Sequence, residues 1–253
     1  MSELQAYRAD ASLRGKVRRQ VARFSARRPL AAAPGRPMIS FSFDDAPASA
    51  ARAGAEILEA RGLRGTYYVA SDLAGQQLPM GTCAGRDDYL RLLEAGHELG
   101  CHTSGHLDCG RTAPPVVDRD LARNAAVLRA WGERDLTSFA YPYGDVAPGV
   151  KQMLGARFST VRALHHGVVE KGSDLNQAPA VGIEGPGGEA AVRRWMKVAL
   201  DRKAWLIVYT HDVAADPSPW GCTPQALARL ADEALALGFE TGAVRDIARK
   251  VGL

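Results

Sequence analysis

The stretch Met38-Ile39-Ser40-Phe41-Ser42-Phe43 predicts a short β-strand, and two acidic residues, Asp44 and Asp45, follow it directly. From here to the C-terminus, short apolar runs such as residues 66–69 and 205–210 alternate with stretches of helical periodicity. This alternation, with no second compositional block, predicts a parallel α/β domain. About seven strand-helix units in roughly 215 residues favour a (β/α) barrel over an open doubly wound sheet. No glycine-rich dinucleotide-binding motif follows the first strand, which also disfavours the open sheet.

Composition narrows the classes of protein that the chain can belong to. The 253 residues are 46% hydrophobic and 24% charged, as in globular proteins with a real core. This excludes a mostly disordered chain, a collagen-like fibre and a coiled coil. The longest strongly apolar run, residues 204–209, is far shorter than the roughly 20 residues that a membrane-spanning helix needs. An integral membrane protein is therefore not expected.

Positive charge is concentrated at the N-terminus. Residues 1–36 carry nine basic and two acidic side chains, a net charge of +7, whereas the whole chain carries only +4. The rest of the chain is thus slightly acidic, and we expect no nucleic-acid partner. Proline and glycine at positions 29–37 end this segment. We therefore divide the chain into a basic N-terminal arm, residues 1–36, and an α/β domain, residues 37–253.

The arm contains an amphipathic pattern. Leu13, Val17, Val21 and Phe24 recur at helical spacing, with arginines between them. One interpretation is a helix that packs its apolar residues on the body and leaves its basic face in water. The other is a helix that contacts an acidic surface, such as a membrane or an acidic carrier.

The expected compartment follows from the N-terminus and the cysteines. Residues 1–30 lack the apolar core of a secretory signal, and the four cysteines form no CxxC pair. We expect a reduced, cytoplasmic protein, with the basic arm offering contact to the inner membrane surface. An arginine-rich transit peptide is the alternative, and Glu3 and Asp10 count against it.

Polar and titratable residues follow several predicted strands. Asp44-Asp45, residues 102–106, residues 142–144 and His211-Asp212 each come directly after one. Strands of a (β/α) barrel end at one face, where active sites form. We therefore expect these residues to converge on a single site.

Two histidines and a carboxylate in this set have the chemistry of a metal site. His102 and His106 are four residues apart, so a helical turn between them lets both imidazoles reach one ion. A carboxylate supplies a third ligand, and one position stays open for water, as in catalytic zinc sites. Asp44 and Asp45 do not both ionise comfortably without a nearby cation, which would give one the role of ligand and the other that of base. Cys109 is a weaker ligand candidate.

Four short motifs resemble those of the polysaccharide deacetylase family, the NodB-homology domain of carbohydrate esterase family 4. The resemblance covers roughly Pro37 to Arg249, and its first two motifs are specific together. The matching segments are Ser42-Phe43-Asp44-Asp45-Ala46, His102-Thr103-Ser104-Gly105-His106, Ala140-Tyr141-Pro142-Tyr143 and Tyr209-Thr210-His211.

This resemblance implies a distorted (β/α)₇ barrel and the metal-dependent removal of acetyl groups from N-acetylated sugars. It also implies roles for individual residues. The metal, usually zinc, would be held by Asp45, His102 and His106, with Asp44 as general base, His211 as general acid and the backbone N–H of Tyr143 as an oxyanion donor.

Three further residues are expected to contact the carbohydrate substrate. Pro142 belongs to the third motif, and Tyr209 occupies the place of a pocket leucine in the family pattern. Trp220 lies in a proline-rich loop shortly after His211, where its ring can stack on a sugar.

The chain departs from the family pattern at several positions. Ala140 replaces an arginine that steadies the base carboxylate in the family, and Ala46 replaces a glycine. The fourth motif, whose aspartate tunes the acid histidine, has no clear match, and Asp174 is our candidate for it.

These departures keep other functions open. The same barrel can hydrolyse a different C–N bond, such as that of a cyclic amide or imide. A non-catalytic, metal-containing carbohydrate-binding protein is a further alternative, although the presence of Asp44 and His211 argues against it. With an intracellular location, the deacetylase would act on a nucleotide-linked or lipid-linked glycan precursor.

Overall fold

The computed structural model describes residues 12–253 and shows a curled parallel sheet surrounded by helices. The strands are β1 (Met38–Asp44), β2 (Thr66–Val69), β3 (Gln77–Leu78), β4 (Gly81–Thr82), β5 (Glu98–Cys101), β6 (Ser138–Ala140), β7 (Thr160–Arg162), β8 (Val181–Gly182), β9 (Trp205–Thr210) and β10 (Glu240–Thr241). The α-helices are α1 (Leu13–Phe24), α2 (Ala55–Glu59), α3 (Arg86–Glu94), α4 (Pro114–Ala130), α5 (Pro148–Arg157), α6 (Gly188–Arg202), α7 (Pro224–Ala236) and α8 (Val244–Lys250).

Seven parallel strands form the wall of the barrel in the order β7-β6-β5-β2-β1-β9-β8. The short strand β10 also pairs with β1 but is not part of this linear order. Strands β3 and β4 form a separate antiparallel hairpin. The predicted distorted (β/α)₇ barrel of the NodB type is confirmed. Since the strands are parallel, their carboxyl ends open at the same face.

Strand β1 is the centre of this sheet and is buried along its whole length. Ile39, Phe41 and Phe43 pack in the same core cluster as Leu58 and Leu227, outside the sheet. The residues between them alternate to the opposite face, because side chains in a strand point to opposite sides in turn. This alternation directs the carboxylate of the last strand residue towards the inside of the barrel.

Strand β8 lies in the glycine-rich stretch between β7 and α6, and the sequence analysis did not identify it. It is only two residues long, and Gly182 pairs with Tyr209 of β9. The strand is too short to give a periodic signal in the sequence. The strand matters for the site, because the segment that follows β8 lies next to the carboxyl end of β9.

Helix α1 confirms the predicted helix in the arm but is turned the other way from our packing interpretation. Gly15 and Ala22 are buried against the body, whereas all four apolar residues that we expected there are exposed. The physical reason lies in polar contacts: Arg18 donates to Asp145 at 2.8 Å, and the Lys151 Nζ donates to the Ala22 carbonyl at 2.6 Å. The face that carries Gly15, Arg18 and Ala22 thus packs on the body, and the apolar face does not.

Part of the arm prediction falls outside this description. Residues 1–11 lie outside the described residues, and the boundary between residues 36 and 37 stays a prediction. Within residues 12–253, no helix is both long enough and apolar enough to cross a membrane.

Candidate metal centre and active site

Three predicted ligands meet at the carboxyl ends of β1 and β5. The side chains of Asp45, His102 and His106 offer ligand atoms that all lie within 4.8 Å of one another. Asp45 Oδ1 is 3.2 Å from His106 Nε2 and 3.7 Å from His102 Nε2. This oxygen is buried and has no hydrogen-bond donor. A buried carboxylate oxygen facing two imidazoles and lacking a donor fits a cation site.

The hydrogen bond of His102 sets its tautomer for metal binding. Its Nδ1 lies 2.8 Å from the Ala140 carbonyl, which can only accept, so Nδ1 carries the proton and Nε2 keeps a lone pair. Burial, with a smaller contribution from His106, lowers the pKa of His102 to about 4. Burial likewise lowers the pKa of His106 to about 4. Both rings are therefore neutral near pH 7, the form that binds metal.

A second set of contacts positions the loop that carries the two histidines. Asp120 of α4 accepts hydrogen bonds from the backbone N–H groups of Ser104 and Gly105. Arg123 donates to Asp120 at 2.9 Å and so holds that carboxylate in place. The loop is therefore fixed from α4, which preorganises the imidazoles.

Unusual backbone conformations cluster around the site. Among residues 12–253, seven non-glycine residues have a positive φ, and five of them lie in the loops that follow β1, β5 and β6. Such conformations persist only where the surrounding structure enforces them, and they concentrate at functional sites. The five are Asp45, Ala46, Thr103, His106 and Tyr143. The φ of 42° at Ala46 also explains why a glycine suits this position in the family pattern.

Asp44 is paired with an arginine that our sequence interpretation missed. Arg162, the last residue of β7, forms a salt bridge with the Asp44 carboxylate, and both side chains are buried. Burial opposes ionisation of Asp44, but Arg162, with smaller contributions from His102 and His211, lowers the pKa of this carboxyl below its usual value. Asp44 is therefore an anion that can accept a proton.

Arg162 takes the place of the arginine that is absent at position 140. Ala140 and Arg162 are partners in the register of the neighbouring strands β6 and β7. From β7 the guanidinium crosses the barrel interior between the rings of Tyr68 and Tyr209, 5.0 Å from each centroid. In the sequence, the only signal was a lone arginine at the end of a short apolar run.

His211 is held by a carboxylate that the sequence interpretation also missed. Its Nδ1 lies 3.3 Å from Glu184 Oε1 and 3.2 Å from the Trp220 carbonyl. Burial lowers the pKa of His211, but the hydrogen bond with Glu184 and the charges of Asp44 and Asp45 outweigh burial and raise it to about 9. His211 is therefore a cation at pH 7, able to donate a proton.

Glu184, two residues after β8, occupies the position that we sought for the fourth motif. Our candidate Asp174 lies elsewhere: its carboxylate is 2.6 Å from Lys151 Nζ and accepts from the Arg28 backbone N–H at 3.0 Å. Asp174 therefore fixes the segment after α1 to the body, and does not contact His211. Because β8 was not predicted, Glu184 had no strand end to identify it.

The remaining predicted residues surround this centre. Tyr143 is 40% exposed, has a φ of 61° and packs its ring on His106 with centroids 4.5 Å apart. Pro142, which precedes Tyr143, is buried. Its ring fixes φ and so supports the turn. Tyr209 donates to Glu184 at 3.3 Å. Trp220 contacts the site through its backbone carbonyl, and the sugar contact of its ring stays a prediction.

Cys109 lies outside this cluster. It is a buried free cysteine and packs in an apolar core with Val117 and Phe139. Among residues 12–253, the group of residues able to hold a metal consists of one carboxylate and two imidazoles, without a thiolate.

Comparison with known proteins identifies a matching family. Residues 31–156 match the family model described as polysaccharide deacetylase. The comparison with curated proteins gives no match.

Several solved structures share the fold. A mutant of the peptidoglycan deacetylase PdaC from Bacillus subtilis has 14% identity and a TM-score of 0.57, over 86% of this chain and 92% of that one. The Xyl-CE4 domain of a multidomain xylanase from the hindgut metagenome of Trinervitermes trinervoides has 18% identity and a TM-score of 0.61 over the same shares. A CE4 family pseudoenzyme from Bacillus anthracis has 15% identity and a TM-score of 0.59, over 85% of this chain and 66% of that one.

Proposed function

We propose, from the premise that residues 31–156 belong to the polysaccharide deacetylase family, that the chain is a metal-dependent deacetylase. It would hydrolyse the N-acetyl group of an N-acetylated sugar or glycan precursor. The observation that carries this proposal is one buried cluster in which a carboxylate and two neutral imidazoles lie beside an ionised acid and a protonated histidine. The ligand atoms of that cluster lie within 4.8 Å of one another.

The metal would be held by Asp45, His102 and His106, and their donor set suits zinc. A divalent cation bound there supplies Lewis-acid polarisation of the acetamide carbonyl and eases deprotonation of the attacking water. The buried Asp45 oxygen without a hydrogen-bond donor supports the cation. The neutral state of both histidines leaves their ring lone pairs for coordination.

Asp44 would act as the general base. Its pairing with Arg162 keeps the carboxylate ionised despite burial. A base in this state can accept the proton of the water that attacks the carbonyl. Arg162 also fixes the carboxylate in one orientation, which a proton acceptor needs at the moment of attack.

His211 and Tyr143 would stabilise the later stages of the reaction. His211 is protonated at neutral pH, so it can donate a proton to the departing amine. The amine of an amide is a poor leaving group unless it is protonated. The backbone N–H of Tyr143, at its positive φ, would donate to the developing oxyanion. One such donor is typically worth about 3–4 kcal/mol in the transition state.

Acetate release tests this function. The full chain would be incubated with N-acetylated sugars, O-acetylated sugars and cyclic imides in parallel, after removal of metal and again after restoring zinc. We expect zinc-dependent acetate release from N-acetylated sugars. Hydrolysis of imides alone would support the other C–N hydrolase, and sugar binding with no hydrolysis would support a binding protein. Arg162 contacts Asp44 in place of the arginine that is missing at position 140, and Glu184 contacts His211 in place of the missing fourth-motif aspartate. Both contacts favour catalysis over binding alone.

Replacing the acid histidine is expected to separate chemistry from metal binding. His211→Ala removes the proton donor but leaves all three metal ligands, so turnover should fall by roughly 10²–10⁴-fold with unchanged zinc content. Steady-state rates and metal analysis of the same preparation measure both quantities. A variant that turns over at the wild-type rate would refute the role of His211.

Glu184→Gln is expected to change the pH profile. The Glu184 carboxylate raises the pKa of His211, so its neutral replacement lets that pKa fall below about 9. His211 donates only when protonated, and activity is therefore lost as pH rises through its pKa. The alkaline limb of the rate profile should move to lower pH. The exposed Glu170, paired with Arg202, provides the control Glu170→Gln, which should leave the limb in place.

A further inference from the structure

The exposed face of α1 is apolar along its entire length. Four large hydrophobic side chains lie on it, and their spacing places them on one side of the helix. A stripe of this kind is unusual on a helix that has the body of the protein available for packing. The four are Leu13, Val17, Val21 and Phe24, which are 78%, 53%, 48% and 69% exposed.

The orientation of the helix is fixed by contacts on its other side. Gly15 and Ala22 are buried against the body, and their small side chains allow close approach. Arg18 binds Asp145, and Lys151 binds the Ala22 carbonyl. A rotation that covered the apolar stripe would break these contacts. No residue of the described range 12–253 covers it.

Positive charge flanks the apolar stripe. Arg14, Lys16 and Arg23 are exposed on α1 and form no ion pair within residues 12–253. No acidic residue occurs between positions 12 and 36. An apolar face bordered by free cations is the pattern of helices that lie in the interface of an anionic membrane.

We propose that α1 docks this protein onto the surface of an anionic phospholipid bilayer. The apolar stripe enters the boundary between headgroups and acyl chains, and the flanking cations contact the lipid phosphates. The helix lies in the plane of the surface and does not span it. This interaction surface goes beyond the proposed deacetylation and does not depend on it.

A second copy of the chain fits this face less well. Its own cations would meet those of the first copy, and like charges oppose association. The stripe is also small, because a helix of 12 residues is only about 18 Å long. A stable dimer buries roughly 800 Å² on each partner. An anionic bilayer attracts the cations that flank the stripe and can accept a short apolar stripe.

The docking helix adjoins the active site. Asp145, which holds Arg18 at 2.8 Å, lies two residues after Tyr143 in the loop that follows β6. Binding through α1 would thus connect the loop that carries Tyr143 to the membrane-bound helix.

Vesicle sedimentation tests the proposal without any measurement of activity. The full chain is mixed with vesicles of phosphatidylcholine alone or of phosphatidylcholine with phosphatidylglycerol. We expect binding to the anionic vesicles and little to the neutral ones. Val17→Ser with Phe24→Ser removes apolar contact without a change of charge and should weaken binding about tenfold or more. Arg14→Gln with Arg23→Gln should also weaken it about tenfold.

A matched control uses apolar residues that are exposed on other faces. Val116 and Leu235 are 41% and 42% exposed, on α4 and α7. The double variant Val116→Ser, Leu235→Ser should bind anionic vesicles as the wild type does. Equal Tm values across all variants would show that folding is intact.

Three results would overturn the proposal. The first is wild-type binding that is absent or equal on neutral and anionic vesicles. The second is binding to a soluble polyanion such as polyphosphate but not to vesicles. The third is a dimer in solution that Val17→Ser with Phe24→Ser dissociates, which would show that a second copy covers the face. None of these results bears on acetate release, so failure here and failure of the proposed function are distinguishable.

Discussion

His102→Ala is expected to abolish zinc binding and acetate release together. The variant keeps Asp45 and His106 but loses the imidazole whose tautomer is fixed by the Ala140 carbonyl. Two protein ligands hold a divalent cation poorly where catalytic zinc sites use three. Without the cation, water stays far less acidic, and the rate should fall by at least about 10⁴-fold. Metal content and acetate release on the same preparation check both effects.

Another buried histidine provides the control for this variant. His97 accepts from the Gly65 backbone N–H at 2.9 Å, and its Nε2 lies 3.0 Å from Glu59, away from the metal cluster. His97→Ala should lower Tm by removing buried hydrogen bonds but keep zinc and turnover. Full zinc content in His102→Ala would show that the cation binds elsewhere.

The second large effect is expected from Arg162. Arg162→Ala leaves Asp44 buried without its cation, which should raise the pKa of this carboxyl. Activity requires the ionised base and is lost as pH falls through that pKa, so the acidic limb of the profile should move to higher pH. At neutral pH we expect a loss of roughly 10²–10⁴-fold. Breaking a buried ion pair also destabilises the fold, by about 3–5 kcal/mol.

A double variant that moves the arginine from β7 to β6 separates the role of the guanidinium from its position in the sequence. Because Ala140 and Arg162 are register partners on adjacent strands, an arginine at either position starts from the same level of the barrel. The double variant Ala140→Arg, Arg162→Ala should recover part of the activity and return the acidic limb towards the wild-type pH. Arg162→Lys keeps a charge without the planar guanidinium and should recover less. If the exchange restores Tm but neither rate nor pH profile, Arg162 is only a structural residue.

The sequence predicted the parts of the molecule whose signals are local. The strands at residues 66–69 and 205–210 have the predicted bounds, since each is a short, largely apolar run. The residues Asp45, His102 and His106 come together because each follows a strand, and parallel strands end at one face.

Two features of the site were beyond local reasoning. Arg162 reaches Asp44 across the barrel interior, so its partner depends on how the sheet curls and not on neighbouring residues. Glu184 follows a strand of only two residues, which gives no periodic pattern. The orientation of α1 stayed open between two interpretations, because amphipathic spacing predicts a helix but not which face meets the body.

The salt bridge from Arg162 of β7 to Asp44 bears on how a missing motif residue is interpreted. An alanine at position 140, taken alone, would suggest that the Asp44 carboxylate has no arginine partner. Yet a guanidinium supplied by the adjacent strand contacts the same carboxylate. A missing motif residue therefore indicates an inactive enzyme only where the neighbouring strands offer no side chain that makes the same contact.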